Sequence, residues 1–348
     1  MINVAIDISP LSTASKFRGV GMYIKRLIEA LQHQENLKIL TFEGKKVPTE
    51  ADLVHYPYFS PFSLTLPFFL NKKFVVTIHD LIPLVFPRAY PPGLKGNLKF
   101  FIQKLLLKKA AMVITDSQSS SADIAKFTSY PKEKITVIYL AADSELKRIS
   151  DEKFLDTIRK KFNLPEKFVL YVGDVNYNKN LPSLVKACRL VKTPLVIVGK
   201  QALSTDFDPS HIENRSLVEL NDLIKQQNDV IRTGFITDEE KAGLYSLASV
   251  YCQPSLYEGF GFPVLEAMAY GCPVVASRTS SLPEIGGKAA FYIDPYSIDA
   301  ISRGVETVLK DDALRVKLIK AGLIQAKKFS WEKTARETMK TYEKVLGK

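Results

Sequence analysis

Glu258 and Glu266 stand on either side of a glycine-bearing corner, Gly259-Phe260-Gly261-Phe262-Pro263, and an apolar run continues from it to about Tyr270. Each carboxylate can accept two hydroxyl hydrogen bonds, which suits the vicinal diol of a ribose or a hexose. Gly259 and Gly261 lack a Cβ, so the backbone there can approach a ligand closely. Pro263 fits the first position of a helix, where its missing N–H is not needed. The free N–H groups of that helix start favour an anion, a phosphate above all. Gly271 then ends the helix, and Pro273–Ala276 restart as a strand. A phosphate site beside two diol acceptors reads as a sugar-nucleotide site. The plainer alternative is a common loop–helix–strand unit in which Glu266 merely favours a helix N-terminus.

Further groups qualify as chemistry-bearing. Gly173 follows an apolar strand, and Lys179 lies in the loop behind it, where a helix begins. A strand-end loop with a lysine can neutralise a diphosphate, though a solvated loop lysine would look the same. His79 ends the strand-like run before it and could bond a sugar hydroxyl or hold developing charge, or simply cap the next turn. Gly19 and Gly21 open a helical pattern after a long loop. With Glu43 they resemble part of a dinucleotide fingerprint, but Ile24 replaces its third glycine and the loop of residues 9–18 is too long for its tight turn. Asp206 and Asp208 form an acidic triplet that could hold a divalent metal, although Asp-Pro-Ser at 208–210 is ordinary turn chemistry. His33, His55 and His211 have no motif around them.

The elements that must position these groups alternate along the chain. Strand-like runs fall at Val4–Ile8, Lys38–Phe42, Leu53–Tyr56, Phe74–Ile78, Met112–Thr115 and Thr136–Ile138. A second set falls at Phe168–Val172, Leu195–Val198, Val230–Arg232, Val250–Cys252, Pro273–Ala276 and Ala290–Ile293. Near-continuous apolar strands separated by helical patterns indicate two parallel sheets covered on both faces. The charge-dense stretch 142–167 is expected to link them. From Asp299 onward the periodicity is helical, broken at Phe329-Ser330-Trp331, with Ser330 as N-cap of a last helix. Along residues 94–109, Leu94, Leu98, Phe101, Ile102 and Leu105 share one helical face, and Phe100 and Leu107 lie opposite among lysines. The favoured expectation is a core helix with a basic outer face, the alternative an anionic membrane surface.

Composition narrows the class. The 348 residues carry a net charge of +11 and are 46% hydrophobic, as in a water-soluble globular protein of two or three domains. No leader-like start and no 18-residue uncharged apolar run is present, so a cytoplasmic protein is expected. Cys188, Cys252 and Cys272 lack metal-ligand spacing and read as reduced core residues. The basic charge suits a phosphorylated substrate or an anionic membrane surface. Nucleic acid is not expected, because no basic–aromatic tract or recognition motif occurs.

The pattern from Glu258-Gly-Phe-Gly-Phe-Pro through Glu266 to Gly271-Cys-Pro-Val-Val-Ala-Ser277 resembles the retaining glycosyltransferases of family 4, with mannosyltransferase-like members nearest in layout. The resemblance implies the α/β GT-B architecture, two doubly wound Rossmann-like domains facing a central cleft. An acceptor domain would span 1–150, joined by a last helix 331–348, and a nucleotide-sugar domain 165–330. It implies transfer of a hexose from a nucleoside-diphosphate sugar to a glycan or lipid-linked acceptor, without metal or other cofactor. The setting would be cell-surface polysaccharide synthesis, in the cytoplasm or at the inner face of the membrane. Glu258 would contact the donor sugar and Glu266 the ribose. Lys179 would hold the diphosphate and His79 contact the sugar, while Gly19, Gly21, Gly173, Gly259, Phe260, Gly261 and Phe262 would complete the donor site. Similar enzymes carry an arginine directly after the glycine, where this chain has Asp174. A metal-dependent transferase using Asp206 and Asp208, and a non-catalytic sugar-nucleotide-binding subunit, are the alternatives.

Overall fold

The computed structural model describes residues 1–13, 19–44, 46–143, 145–225 and 227–348. Arg18, which precedes the first glycine turn, lies outside the described residues. In chain order the first half holds β1 (Ile2–Asp7), α1 (Gly19–Leu31), β2 (Leu37–Phe42), β3 (Leu53–Tyr56), β4 (Lys73–Thr77), α2 (Ile82–Val85), α3 (Gly93–Leu107), β5 (Met112–Thr115), α4 (Gln118–Thr128) and β6 (Ile135–Val137). The second half holds α5 (Glu152–Lys161), β7 (Val169–Val172), α6 (Leu181–Leu190), β8 (Leu195–Val198), α7 (Arg215–Ile224), β9 (Val230–Gly234), α8 (Asp238–Leu247), β10 (Val250–Gln253), α9 (Phe262–Ala269), β11 (Val274–Ser277), α10 (Leu282–Gly286), β12 (Ala290–Ile293), α11 (Ile298–Lys310) and α12 (Asp312–Ala326), before α13 (Trp331–Leu346) closes the chain.

Two compact units result. One is Met1–Ala141 with Phe329–Lys348, the other Ala142–Lys328. Each contains a six-stranded sheet, ordered β2-β1-β3-β4-β5-β6 in the first and β12-β11-β10-β7-β8-β9 in the second. All pairings are parallel. Strands β3, β5, β8, β10 and β11 are buried at every position, which is why they read as unbroken apolar runs rather than alternating ones. In the second unit β7 and β10 are sheet neighbours although β8 and β9 intervene in sequence. The strand order reverses there, and loops leaving the carboxyl ends of such a pair form a ligand crevice.

Two expectations need correction. The stretch 142–167 is more than a linker, since it belongs to the second unit and carries α5. The Asp151 carboxylate caps that helix by accepting from the Lys153 and Phe154 amides at 3.0 and 3.2 Å. Leu155 and Ile158 are buried, and a Cβ on Gly243 of α8 would stand 2.9 Å from Ile158 Cγ1. Its charges are the outer face of an amphipathic helix. On α3 the expected faces are reversed. Leu94, Leu98, Phe101 and Leu105 are exposed, whereas Gly96, Gln103, Leu106 and Leu107 are buried. Gln103 decides the orientation by bonding Ser60 O at 3.1 Å, Thr65 Oγ1 at 2.6 Å and the Leu66 amide at 3.3 Å. Three hydrogen bonds to one amide side chain outweigh the apolar count of the opposite face.

The last helix belongs to the first unit. Ser330 Oγ accepts from the Lys333 amide at 3.2 Å, the N-cap anticipated from sequence, and Thr334 Oγ1 donates to Tyr139 O at 2.7 Å. Tyr342 is fully buried and meets His55 Nδ1 at 2.7 Å, while His55 Nε2 meets Thr77 Oγ1 at 2.8 Å. Burial lowers the His55 pKa to about 3, so this imidazole is neutral and structural.

Candidate active site

The loops after β7 and β10 meet at the reversal of strand order in the second unit. After β7, Gly173 takes φ +150°, and a Cβ there would stand 2.9 Å from Tyr171 Oη. Asn180 adopts a left-handed conformation before α6, and its side-chain amide donates to Pro254 O and Pro295 O at 3.2 and 2.8 Å. Asn178 donates to Tyr257 O at 3.0 Å, and its own carbonyl accepts from the Leu256 amide at 2.7 Å. Two asparagines thereby lace the loops together on either side of Lys179.

Lys179 Nζ donates to both oxygens of Glu258 at 2.8 Å. Glu258 is buried, and its Oε1 also accepts from Gln253 Nε2 and Ser255 Oγ, each at 2.6 Å. Gln253 is itself held by Tyr251 Oη. A buried carboxylate needs this compensation, because an unpaired charge there is costly. The bookkeeping leaves capacity at two atoms. Lys179 has three donors and spends two on Glu258, and among the described residues Glu258 Oε2 accepts only from Lys179. The pair is thus a fixed dipole with one ammonium proton and one carboxylate lone pair to offer a ligand.

The corner behind Glu258 is equally fixed. Ser281 Oγ donates to Glu258 O at 3.0 Å and Phe260 O at 2.7 Å, and the Glu258 amide donates to Ser280 Oγ at 2.8 Å. Gly261 is the N-cap of α9 at φ +110°, and a Cβ there would lie 2.8 Å from Leu282 Cδ2. Phe262 is the first helical residue, so Pro263 takes the second position rather than the first. Glu266 lies beyond the first turn, which removes a mere helix-N-terminus role as its explanation. It accepts from Lys241 Nζ at 2.9 Å and from Tyr245 Oη at 3.1 Å, both on α8. Burial of the Lys241 ammonium opposes its charge, but Glu266 beside it prevails and raises its pKa.

In the first unit, His79 lies just past β4. Its Nδ1 meets Asp116 Oδ2 at 2.7 Å and its Nε2 meets Pro57 O at 3.2 Å. The Pro57 carbonyl can only accept, and the Asp116 carboxylate facing Nδ1 favours a second ring proton, so the surroundings favour the imidazolium. Burial works against that charge, while Asp116 and the hydrogen bond to it raise the His79 pKa. Asp116 is buried, and its Oδ1 has no hydrogen-bond partner among the described residues. The turn is capped by Asp80, whose carboxylate accepts from the Ile82 amide at 3.0 Å, so His79 is not the capping residue. Tyr23 of α1 packs edge-on against His79 with ring centroids 4.8 Å apart. Gly19 is the first residue of α1 and Gly21 is buried within it.

Other candidates are placed differently. Asp208 accepts from the Ser210 amide at 2.9 Å and its hydroxyl at 2.6 Å in an exposed turn, and the hydroxyl bond lowers its pKa. No group of three metal-ligating side chains occurs among the described residues. Cys188, Cys252 and Cys272 are buried and free. Sequence reasoning missed Gln253, Ser255, Lys241, Tyr245 and Asp116, the partners that fix Glu258, Glu266 and His79. Gln253 and Ser255 lie within five residues of Glu258, just ahead of the motif, whereas Lys241, Tyr245 and Asp116 come from distant segments and leave no local signal.

Comparison with known proteins bears on this arrangement. The family described as "Glycosyl transferases group 1" matches residues 155–324, and "Glycosyltransferase Family 4" matches residues 37–146. The O-antigen chain mannosyltransferase B of Escherichia coli is 31% identical over 300 residues, covering 84% of this chain and 75% of that protein. The serotype-specific mannosyltransferase WbdA of E. coli is also 31% identical, but the 79% of this chain that aligns spans 34% of its length. Among solved structures, sucrose-phosphate synthase from Thermosynechococcus elongatus superposes with TM-score 0.78 over 100% of both chains at 21% identity. Anabaena HepE in complex with UDP and glucose gives 0.77 over 99% and 100% at 16% identity. Two parallel six-stranded sheets with these neighbours are the GT-B fold. With the first relative's identity and coverage, both family matches and the Glu258-to-Glu266 motif in place, the chain belongs to the group 1 glycosyltransferases of family 4.

Proposed function

We propose that this glycosyltransferase moves mannose from a nucleoside-diphosphate mannose, GDP-mannose being the first candidate, to a glycan or lipid-linked acceptor of an O-antigen-type polysaccharide. Transfer would retain the anomeric configuration and need no metal ion. The observation that carries this reading is the Lys179–Glu258 pair, held at 2.8 Å between the two loops that leave the reversal point of the second sheet. The mannosyltransferase names of the relatives supply the sugar. Lys179 and the amides opening α9 would stabilise the leaving diphosphate. Glu258 would orient the sugar through its remaining lone pair, and Glu266 would accept from the ribose hydroxyls. Roles for His79, Gly19 and Gly21 rest on the family resemblance, with His79 acting as a cation. Because the charge stabilisers are fixed before the donor arrives, no reorganisation is needed during bond cleavage.

The test is a transfer assay with GDP-, UDP- and ADP-sugars and a lipid-linked glycan acceptor, with the initial product followed by NMR. Mannose transfer from the GDP sugar with retained configuration, unaffected by EDTA, is expected. Inversion would overturn the stereochemical assignment. Loss of activity in EDTA with recovery in manganese would transfer the diphosphate to Asp206 and Asp208. Nucleotide binding without turnover on any acceptor would make the protein a binding subunit.

A further inference from the structure

We propose that α3 and the loop before it dock this protein on an anionic lipid surface. Leu94, Leu98, Phe101 and Leu105 follow at i, i+4, i+7 and i+11, which puts them in one seam along the helix. That seam points away from the unit to which α3 belongs. Leu94 is 92% exposed, Leu98 62%, Phe101 60% and Leu105 48%. The opposite face, with Gly96, Gln103 and Leu107, is buried, so the exposure is not a loosely packed helix. Gln103 pins segment 60–66 to that face through its three hydrogen bonds, and Phe62 meets Phe100 edge-to-face. The chain then turns outward, with Phe68 and Phe69 exposed, the latter to 93%. Lys109 Nζ donates to Phe68 O at 3.2 Å and ties this pair to the end of α3. A water-soluble protein seldom leaves such an apolar seam uncovered without a partner.

Charge selects the partner. Lys95, Lys104, Lys108 and Lys109 border the seam, and between Asp52 and Asp116 the only acidic residue is Asp80. The Asp80 carboxylate is already used by the Ile82 amide. A second copy docking seam to seam would set lysines against lysines with no carboxylate from this stretch between them. A basic protein groove would meet the same repulsion. A sheet of anionic headgroups over acyl chains complements both parts, since the apolar seam enters the acyl boundary while the lysines meet the phosphates. No described helix is long and apolar enough to cross a membrane, so the contact is one of lying on the surface.

The test is flotation of the full chain with vesicles of phosphatidylcholine alone and of phosphatidylcholine mixed with phosphatidylglycerol, in low and high salt. Binding to the mixed vesicles alone, weakened by salt, is expected. Leu98→Glu with Phe101→Glu should abolish it. Lys95→Gln with Lys108→Gln should weaken it by about fivefold per lysine. All four positions are solvent-facing or nearly so, and an unchanged melting temperature for both double variants would verify that folding is intact. Equal binding to neutral vesicles, or no binding to either, would overturn the proposal. So would a dimer in sedimentation that Leu98→Glu with Phe101→Glu dissociates, which would assign the seam to a second copy of this chain.

Discussion

Glu258 and Glu266 differ in what holds them, and their substitutions should differ accordingly. Glu266 is gripped from α8 by Lys241 and Tyr245, which fix its carboxylate without any donor present. A ribose contact of this kind contributes equally to ground and transition states, so it appears mainly in KM. Glu266→Ala is expected to weaken binding of the free nucleoside diphosphate by roughly tenfold to a hundredfold, the worth of hydrogen bonds to a charged group. Calorimetry measures this directly. Glu258→Gln keeps the shape but removes the charge facing Lys179, and is expected to spare nucleotide affinity while lowering kcat. The reverse pattern would exchange the two roles. His79 offers a separate readout. Asp116 raises its pKa against the effect of burial, so the imidazolium persists above the usual histidine range. If that cation serves turnover, Asp116→Asn should move the alkaline limb of the kcat/KM profile to lower pH. Glu258 was legible in the sequence because its glycines and proline are local. Asp116 was not, because it reaches His79 from a different strand.

At the scale of elements, α13 is the piece that the chain returns to the first unit, and its anchor is polar. Tyr342 reaches His55, which lies 287 residues away and is buried on every side. Tyr342→Phe keeps the ring and leaves His55 Nδ1 unpaired, at an expected cost of about 1–3 kcal/mol in urea unfolding. Burial of the same histidine sets a pH dependence. Unfolded, His55 takes a proton near 6.5, whereas in the fold its pKa is about 3. The unfolded state therefore binds more protons between these values, and stability is lost as pH falls from 6.5 toward 3, on the order of a few kcal/mol. His79 works in the opposite sense, stabilising below the unfolded pKa and losing that contribution as pH rises through its raised folded pKa. A stability profile of wild type against His55→Gln separates the two, since only the acid-side loss should shrink in the variant. Elements were legible wherever periodicity had a single reading. All twelve strands were, most plainly β3, β5, β8, β10 and β11, whose burial at every position leaves no alternation to misread. The faces of α3 were not, because a four-residue apolar seam looks the same whether it points into a core or out of the protein. The decisive signal was Gln103, whose three bonding partners lie far from it in the chain.

At the scale of the whole molecule, the chain forms one unit from two separated segments and the other from a single continuous one. Each has its own buried sheet, with His55 and Tyr342 in the first and Lys179, Glu258 and Glu266 in the second. The two halves were legible in outline from the alternation of strands and helices. Their seam was not, because the charges of 142–167 that suggest a linker are the outer face of α5. Two separate cores are expected to give two calorimetric transitions. A nucleoside diphosphate at about 100 times its Kd should stabilise the unit that binds it by about 2.7 kcal/mol. For a unit of this size that raises the corresponding Tm by roughly 5–10 °C. The shift is expected in the transition that Glu266→Ala renders insensitive to nucleotide, and Tyr342→Phe should lower the other transition. A panel of GDP, UDP and ADP then reports the base, since the largest shift marks the tightest binder. If nucleotide moved only the transition that Tyr342→Phe lowers, the donor nucleotide would belong to the unit of His79, and the sugar-nucleotide assignment of the Glu258–Glu266 corner would fall with it.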